Sequence, residues 1–278
     1  MRSVIHLRVV VVERSVMIRL MSDRLLPLLC AAVLPALAFA QARPTVTVFV
    51  GGAVTAPVKD AGGSYTKSSG ATIVYVSDTT GGLQKRLAAG EHADLVVATA
   101  PGMDALAQQK LIAAESRVDL ARALIGVAVK AGAPLPDLST PDTFKAALLK
   151  ARSLSYVSPA AGGTSGTYIE GLLQKMGIAD VMKPKIVYRN QGSEVADAVA
   201  KGDAELGISF SSELQPNPGV KVAGPLPAAI QLPTIYAAAL TSAGTSNDAA
   251  RAFLRVLAGA DGRAAMQRAG LAPVGAAR

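Results

Sequence analysis

The sequence predicts an α/β fold of two lobes, each a mostly parallel sheet flanked by helices, with two hinge strands joining the lobes. Short apolar β-rich runs alternate with Ala-rich stretches of helical periodicity. Two proline-rich stretches, 131–141 and 216–233, interrupt this alternation as loops or passages between lobes would. Loops rich in Gly, Ser and Thr follow several of the runs and precede helices.

The N-terminal 40 residues have the pattern of a secretory signal peptide. Residues 25–40 form an uncharged apolar run after Arg24 that ends in Ala38-Phe39-Ala40, a typical cleavage pattern. The run is shorter than the ~20 residues of a bilayer span, which disfavours a membrane anchor. Cys30 lies in this run behind Leu29, whereas a lipid-attachment cysteine follows a small residue, so a lipoprotein is the weaker alternative. We therefore expect export to the periplasm and a mature chain that begins near Gln41.

The remaining elements follow from apolar periodicity and from the turn residues that bound each run. Several predicted strands are apolar throughout, as strands covered on both faces are. The predicted strands are Thr45–Val50, Thr72–Val76, Asp94–Ala98, Ala123–Val129, Ser153–Val157, Lys185–Tyr188, Ala204–Phe210, Val220–Ala223 and Thr234–Leu240. The predicted helices are Gly82–Ala89, Gly102–Gln109, Pro141–Ala151, Ser165–Lys175, Ser193–Lys201, Ser246–Ala258 and Asp261–Ala269. If the proline-rich stretches mark the passages between lobes, residues 41–126 with 234–278 form the first lobe and residues 127–233 the second.

Composition narrows the classes of function. The chain carries a net charge of +8 and stays mildly basic without residues 1–40, which suits an anionic ligand. No run of Lys or Arg indicates nucleic-acid binding, and the chain has no Trp for a base-stacking platform. Beyond residue 40 it has no Cys and a single His, His92, so neither a zinc cluster nor a histidine-backed nucleophile is evident. We expect no cofactor and no metal, and we assign no catalytic residue.

Four loops carry the prediction of a binding site: residues 50–55, 77–82, 159–166 and 190–193. Each follows a predicted strand and opens a stretch of helix. The first turn of a helix has unpaired N–H groups and a partial positive charge, which makes it a ready anion site. Glycines allow a ligand to approach the backbone, and hydroxyls add donors. Ordinary caps use the same residues, so the recurrence of the loops, two from each lobe, supports an anion cleft between the lobes.

Four segments resemble the molybdate-binding periplasmic proteins of ABC transporters, and the similarity extends from about Thr45 to Val274. The segments are 83–95, Gly166-Thr167-Tyr168, 199–208 and 265–273. The resemblance implies a type II periplasmic-binding-protein fold and a small oxyanion ligand. It also implies delivery of that ligand to a membrane permease and its ATPase, with the binding protein expected to be a monomer.

The resemblance also implies where the ligand would be held. The family has a Ser at the position of Ala53 and a Tyr at the position of Phe210, so two hydroxyl donors are absent. Each missing charged hydrogen bond costs about 1.5–3 kcal/mol, which weakens the expected hold on molybdate. The candidate ligand-binding residues are Gly52, Ala53, Thr79, Thr80, Ser165, Gly166, Gly192, Ser193 and Phe210.

A second reading of the ligand depends on Arg189, which ends a predicted strand just before the fourth loop. A guanidinium grips a carboxylate with two parallel hydrogen bonds, so Arg189 facing the cleft favours an organic di- or tricarboxylate. A salt bridge elsewhere is the alternative for this residue. Proteins of this general type also resemble aconitate isomerase, a periplasmic enzyme on a solute-binding fold. The enzymatic alternative to a binding protein is therefore an isomerase that acts on a tricarboxylate. Asp78, in the second loop, either repels an anion, takes a proton from a bound acid, or only shapes the turn.

Overall fold

Two mixed sheets flanked by helices form the protein, as described for residues 43–274 by a computed structural model. The predicted signal peptide, residues 1–40, lies outside the described residues. None of the helices within 43–274 combines the length and apolar character that crossing a bilayer requires.

The first sheet has six strands in the order β11-β4-β10-β3-β1-β2. Strands β1 to β4 run in one direction, and β10 and β11 run against them. Every residue of β3 is buried, as predicted for a strand covered on both faces. The bounds are β1 Thr45–Gly51, β2 Thr72–Asp78, β3 Leu95–Thr99, β4 Val118–Ala123, β10 Thr234–Leu240 and β11 Ala272–Pro273.

The second sheet has five strands in the order β7-β6-β8-β5-β9. Strands β6, β7 and β8 are parallel, and β5 pairs antiparallel with both β8 and β9. Their bounds are β5 Ile125–Lys130, β6 Leu154–Val157, β7 Ile186–Arg189, β8 Leu206–Phe210 and β9 Val220–Pro225. The predicted α/β architecture of two sheets flanked by helices is confirmed, but the sheets are mixed rather than mostly parallel, because β10 and β11 in the first sheet and β5 in the second run against their neighbours. Strands β4 and β11, which the sequence analysis did not predict, extend the first sheet.

The helices join the strands and cover the sheets. Their bounds are α1 Gly52–Ser69, α2 Thr80–Ala88, α3 Ala100–Gln108, α4 Pro141–Lys150, α5 Thr164–Lys175, α6 Ala179–Met182, α7 Gly192–Lys201, α8 Ser211–Leu214, α9 Asp248–Ala258 and α10 Ala260–Arg268. In α9, Ala250, Phe253, Leu254 and Leu257 are buried, as their helical spacing predicts.

The predicted loop at residues 50–55 does open a helix, but the extent of α1, 18 residues, was not predicted, because Pro57, Gly62 and Gly63 lower its helix propensity. The structure shows why it forms. A face that includes Val54, Val58 and the two small residues Pro57 and Gly62 is buried in the protein core, and this packing outweighs the intrinsic preference of the residues.

The chain passes between the sheets at Leu124, between β4 and β5, and again at residues 226–233, between β9 and β10. The Gln231 side chain ties these passages together. Its Nε2 donates to the Ile125 carbonyl at 2.9 Å, and its Oε1 accepts from the Ile125 N–H at 3.0 Å. The Leu226 N–H also donates to the Ile125 carbonyl. The passages lie near the predicted lobe boundaries, and the division into lobes remains a prediction.

Candidate functional site

A small cavity lies where the loops that follow strands of both sheets meet. The volume of the cavity is about 20 Å³, which is little more than the space for one water molecule. Its walls are formed by the residues Gly52, Asp78, Thr79, Thr80, Val157, Gly163, Thr164, Ser165, Gln191, Gly192, Phe210, Glu213 and Tyr236. The cavity is therefore too small for more than a water-sized guest in this conformation.

Four helices begin at this cavity: α1, α2, α5 and α7. In α1, α5 and α7 no side chain caps the N-terminus, and only α2 is capped, by the Thr79 hydroxyl, which accepts from the Gly82 N–H at 3.0 Å. The first-turn N–H groups of a helix have no partner within the helix and carry a partial positive charge. Their convergence makes the cavity suitable for an anion.

The charged side chains that line the cavity are carboxylates rather than cations. Asp78 and Glu213 line it, while the described residues contribute no Lys, Arg or His to the lining. Asp78 is paired with the Arg86 guanidinium, whose Nε lies 3.0 Å from Asp78 Oδ2. Asp78 Oδ1 accepts from the Thr79 N–H at 2.8 Å, which fixes the turn into α2. Glu213 has no ion pair within residues 43–274, so it is the charged group free to act on a ligand.

Glu213 lies at the end of a chain of buried hydroxyls. Ser209 Oγ donates to Glu213 Oε2 at 2.6 Å, and Ser165 Oγ lies 3.4 Å from Ser209 Oγ. Side chains added at Gly52 or Gly192 would collide with the Glu213 carboxyl, so these glycines leave room for it at the starts of α1 and α7. Burial raises the pKa of Glu213 to about 7, against the opposing effect of the Ser209 hydrogen bond. At neutral pH the carboxyl is therefore balanced between its acid and base forms.

This pKa predicts an unusual dependence of stability on pH. Because the folded-state pKa of Glu213 lies above its ordinary value of 4.5, folding favours the protonated carboxyl, and this contribution is lost as pH rises from about 4.5 to 7. The loss amounts to about 3 kcal/mol, at 1.36 kcal/mol per pH unit. We expect Glu213→Gln to remove this part of the pH dependence in denaturant unfolding measured from pH 5 to 8. Parallel curves for the wild type and the variant would contradict the assignment.

Tyr236 enters the cavity from β10, in the first sheet. Its side chain is 3% exposed, and its ring packs edge-on against Phe210, with the centroids 5.8 Å apart. Burial and, to a smaller extent, the charge of Glu213 raise the pKa of Tyr236 well above its usual value. Its hydroxyl consequently stays protonated and can serve as a hydrogen-bond donor.

The loops of the two sheets touch at the rim of the cavity. Thr79 Oγ1 donates to the Ala161 carbonyl at 2.5 Å, and the Gly81 N–H donates to the Gly162 carbonyl at 3.2 Å. A Cβ at Gly81 would lie 2.8 Å from Gly162 Cα, so the backbones approach this closely only because both residues are glycine. These contacts thus keep the loops of the two sheets together at the rim of the cavity.

The structure brings most of the predicted ligand residues together. Gly52, Thr79, Thr80, Ser165, Gly192 and Phe210 line the cavity. Four others do not. Ala53 is buried in the core, Ser193 is exposed, Gly166 packs against Val157, and Arg189 pairs with Asp203 at 3.1 Å. For Arg189 the structure thus shows the salt bridge that the sequence analysis held as the alternative.

Gly166 serves the packing of α5 against β6. A Cβ at this position would collide with the backbone carbonyl of Val157. We expect Gly166→Ala to destabilise the fold by about 1–3 kcal/mol, the usual cost of overpacking, as measured by thermal or denaturant unfolding. Gly171→Ala, in the same helix with no atom within 4 Å of the added Cβ, is the matched control and should be neutral or stabilising. Equal effects of the two substitutions would contradict this role for Gly166.

Two of the cavity residues with the most distinctive chemistry, Glu213 and Tyr236, were not predicted. Glu213 follows β8 without any glycine-rich loop to mark it, and Tyr236 lies inside a strand whose residues are all buried except the half-buried Ile235. The one available signal for Glu213 was an acidic residue three positions beyond the carboxyl end of a buried parallel strand. Gln191, Gly163 and Thr164 lie in the predicted loops but were not selected there.

Comparison with known proteins agrees with this geometry. The family model described as bacterial extracellular solute-binding protein matches residues 46–272. An aconitate isomerase from Pseudomonas sp. is 34% identical over 243 residues, covering 84% of this chain and 90% of that protein. A molybdate-binding protein of Escherichia coli is 27% identical over 216 residues, covering 77% of this chain and 83% of that protein.

Solved structures agree on the fold. The periplasmic molybdate-binding protein of Azotobacter vinelandii superposes with a TM-score of 0.67 at 20% identity, covering 81% of this chain and 98% of that chain. A sulfate-binding protein from Mycobacterium tuberculosis gives 0.65 at 15% identity, covering 84% of this chain and 88% of that chain. The predicted resemblance to molybdate-binding proteins is confirmed. By its family match and its fold, this chain belongs to the bacterial extracellular solute-binding protein family.

Proposed function

We propose that this chain is an isomerase of a small unsaturated tricarboxylate of the aconitate class, in which Glu213 transfers the proton. The observation that carries the proposal is a carboxyl with a pKa of about 7 inside a cavity formed by helix N-termini. A general acid–base group works best when its pKa lies near the working pH. The 34% identity to an aconitate isomerase supports this function over transport alone.

The chemistry needs one acid–base group and no cofactor. Aconitate carries a CH₂ group that is next to a carboxylate and to the carbon–carbon double bond. When the Glu213 carboxylate takes a proton from this CH₂, the C–H bond breaks, an O–H bond forms, and the electron pair spreads over three carbons and a carboxylate. Glu213 then returns the proton to the far carbon of this system, the double bond moves, and its new geometry is cis or trans. No redox change or leaving group is involved.

The rest of the cavity would hold the charge of the substrate. The uncapped N-termini of α1, α5 and α7 offer backbone donors to its carboxylates, and Arg86 neutralises the nearby Asp78. A tricarboxylate does not fit the present volume of about 20 Å³, so the loops that meet at the Gly81–Gly162 contact have to separate to admit it, and side chains that now fill the cavity have to move aside before the contact forms again over the bound ligand. Opening and closing about the two passages between the sheets is the motion that this fold offers.

Capture of a small oxyanion for an ABC transporter is the second candidate. The small cavity favours it, and it would require a membrane permease and its ATPase as partners. The Glu213 carboxyl repels either kind of anion when it is ionised, but only a substrate that exchanges a proton gives this carboxyl a task, which weakens oxyanion capture. In either case the predicted signal peptide and the extracellular family indicate the periplasm as the working compartment.

An absorbance assay separates the two functions. We expect the purified chain to convert cis-aconitate to the trans isomer, seen as a change in the ultraviolet absorbance of the conjugated acid and confirmed by proton NMR. The parallel measurement is a thermal melt with molybdate, tungstate, sulfate and phosphate. A ligand at 100 times its Kd adds about 2.7 kcal/mol to stability, which a melt detects. Stabilisation by molybdate without any turnover of aconitate would reject the isomerase in favour of oxyanion capture.

A further inference from the structure

We propose that Tyr236 is a second catalytic residue of this site, whose hydroxyl donates a hydrogen bond to the substrate carboxylate on which negative charge builds up. The inference rests on the proposed function, since that charge arises only when Glu213 removes a proton. It goes beyond that function because it assigns separate tasks to opposite walls of the cavity. The acid–base group stands on α8, beside the second sheet, and the donor stands on β10, in the first sheet.

The hydroxyl of Tyr236 is available to a ligand. Among the described residues, the only fully buried side-chain polar atom without a hydrogen-bond partner is Ser212 Oγ. The Tyr236 hydroxyl has no hydrogen-bond partner within residues 43–274 either, so it keeps contact with open space although Tyr236 is 3% exposed, and the cavity is a space that this residue lines. A nearly buried hydroxyl that has no protein partner and belongs to a residue lining the cavity can donate its hydrogen bond to a ligand there.

The ring is held in one position, which makes the donor preorganised. Phe210 packs against it edge-on, with an angle of 82° between the ring planes. On another side, a Cβ at Gly51 would lie 2.9 Å from Tyr236 Cε1, so the β1 backbone lies directly against the ring. Donors fixed before the reaction stabilise developing charge without the cost of reorienting during the step.

The cavity needs such a neutral donor. The described residues contribute no cationic side chain to its lining, and the Thr79 hydroxyl already donates to the Ala161 carbonyl. The raised pKa of Tyr236 supports the assignment, because a phenol that stays protonated donates throughout the reaction. In the reaction, the C–H bond breaks toward Glu213 and Tyr236 keeps its own proton. Its hydrogen bond shortens as charge moves onto the carboxylate and relaxes when Glu213 returns the proton.

Tyr236→Phe tests the inference, because it removes the hydroxyl and leaves the ring packing in place. We expect kcat for aconitate isomerisation to fall about 10²-fold, the usual effect of losing one oxyanion donor. KM should rise by less than kcat falls, because the hydrogen bond to the substrate carboxylate strengthens as further charge builds up on it. The melting temperature should change little, because the ring packing is kept. A merely structural tyrosine would instead lower the melting temperature and leave kcat intact.

Tyr65→Phe is the matched control. Tyr65 is also nearly buried, but its hydroxyl donates to the Ala249 carbonyl at 3.0 Å, away from the cavity. We expect this variant to lose stability and to keep its kcat. An active wild type with an equally active Tyr236→Phe variant would overturn the role of Tyr236 alone. A wild type that does not isomerise aconitate would overturn the proposed function and this inference together.

Discussion

Replacing Glu213 with Gln is expected to lower kcat for aconitate isomerisation by about 10²–10⁴-fold, the range for loss of a general acid–base group. Gln keeps the size of the side chain and can still accept the hydrogen bond from Ser209, so the cavity should keep its shape. The affinity for the saturated analogue tricarballylate, measured by calorimetry, should stay equal or rise, because the variant removes a carboxylate that repels the ligand. The kinetic and binding measurements together separate loss of proton transfer from loss of the site.

Glu170→Gln serves as the control for this substitution. Glu170 also accepts hydrogen bonds from hydroxyls, those of Tyr156 at 2.5 Å and Tyr188 at 3.2 Å, but it is not part of the cavity lining. Its kcat should match that of the wild type. The wild-type kcat/KM should also rise with pH through about 7, as the base form of Glu213 becomes populated. An unchanged kcat in Glu213→Gln would sink the role of Glu213 in catalysis.

Replacing Gly81 with Ala is expected to weaken the binding of tricarballylate by about 10–100-fold, because the added methyl group prevents the rim from closing. The Cβ would lie 2.8 Å from Gly162 Cα and 3.1 Å from the Gly162 carbonyl oxygen, and neither backbone can move without separating the two loops. Overpacking of this kind costs about 1–3 kcal/mol, and here the cost falls on the closed state alone. Stability toward denaturant should therefore be kept, or slightly improved by the higher helix propensity of Ala in α2.

Gly63→Ala, in α1 with no atom within 4 Å of its added Cβ, is the control that adds the same methyl group in open space. Its affinity should equal that of the wild type. Equal affinities of all three proteins would show that the Gly81–Gly162 contact plays no part in holding the ligand.

Strands and helices can be predicted from the sequence most accurately where the local pattern of apolar residues decides the structure. The apolar runs of β3 and β8 are buried along their whole length, and the periodicity of α9 places its apolar stripe in the core. The extent of helix α1 could not be predicted, because its glycines and proline disfavour a helix locally, while its stability comes from packing against distant parts of the chain. Only the tertiary structure contains that information.

The residues of the candidate site also fall into two groups: those that a local sequence pattern predicts and those that only the tertiary structure brings to the cavity. Loops that open helices can be recognised locally, and Gly52, Thr79, Thr80, Ser165 and Gly192 lie at the cavity. The partner of an ion pair cannot be recognised in this way: Asp203, which binds Arg189, comes from beyond α7. Glu213 and Tyr236 reach the cavity from α8 and β10, and their approach depends on how the two sheets pack together. The loops whose helix N-termini line the cavity could therefore be predicted from the sequence, but the two side chains that we propose for its chemistry could not.

The most direct test of this account is a crystal structure of the Glu213→Gln variant grown with cis-aconitate, which this variant should bind without turning over. We expect the carboxylates of the ligand at the N-termini of α1, α5 and α7, its CH₂ group beside the side chain of residue 213, and the Tyr236 hydroxyl on a carboxylate oxygen. A ligand found elsewhere on the protein, or bound with its CH₂ group far from residue 213, would contradict the proposal that these helix ends hold the anion for proton transfer.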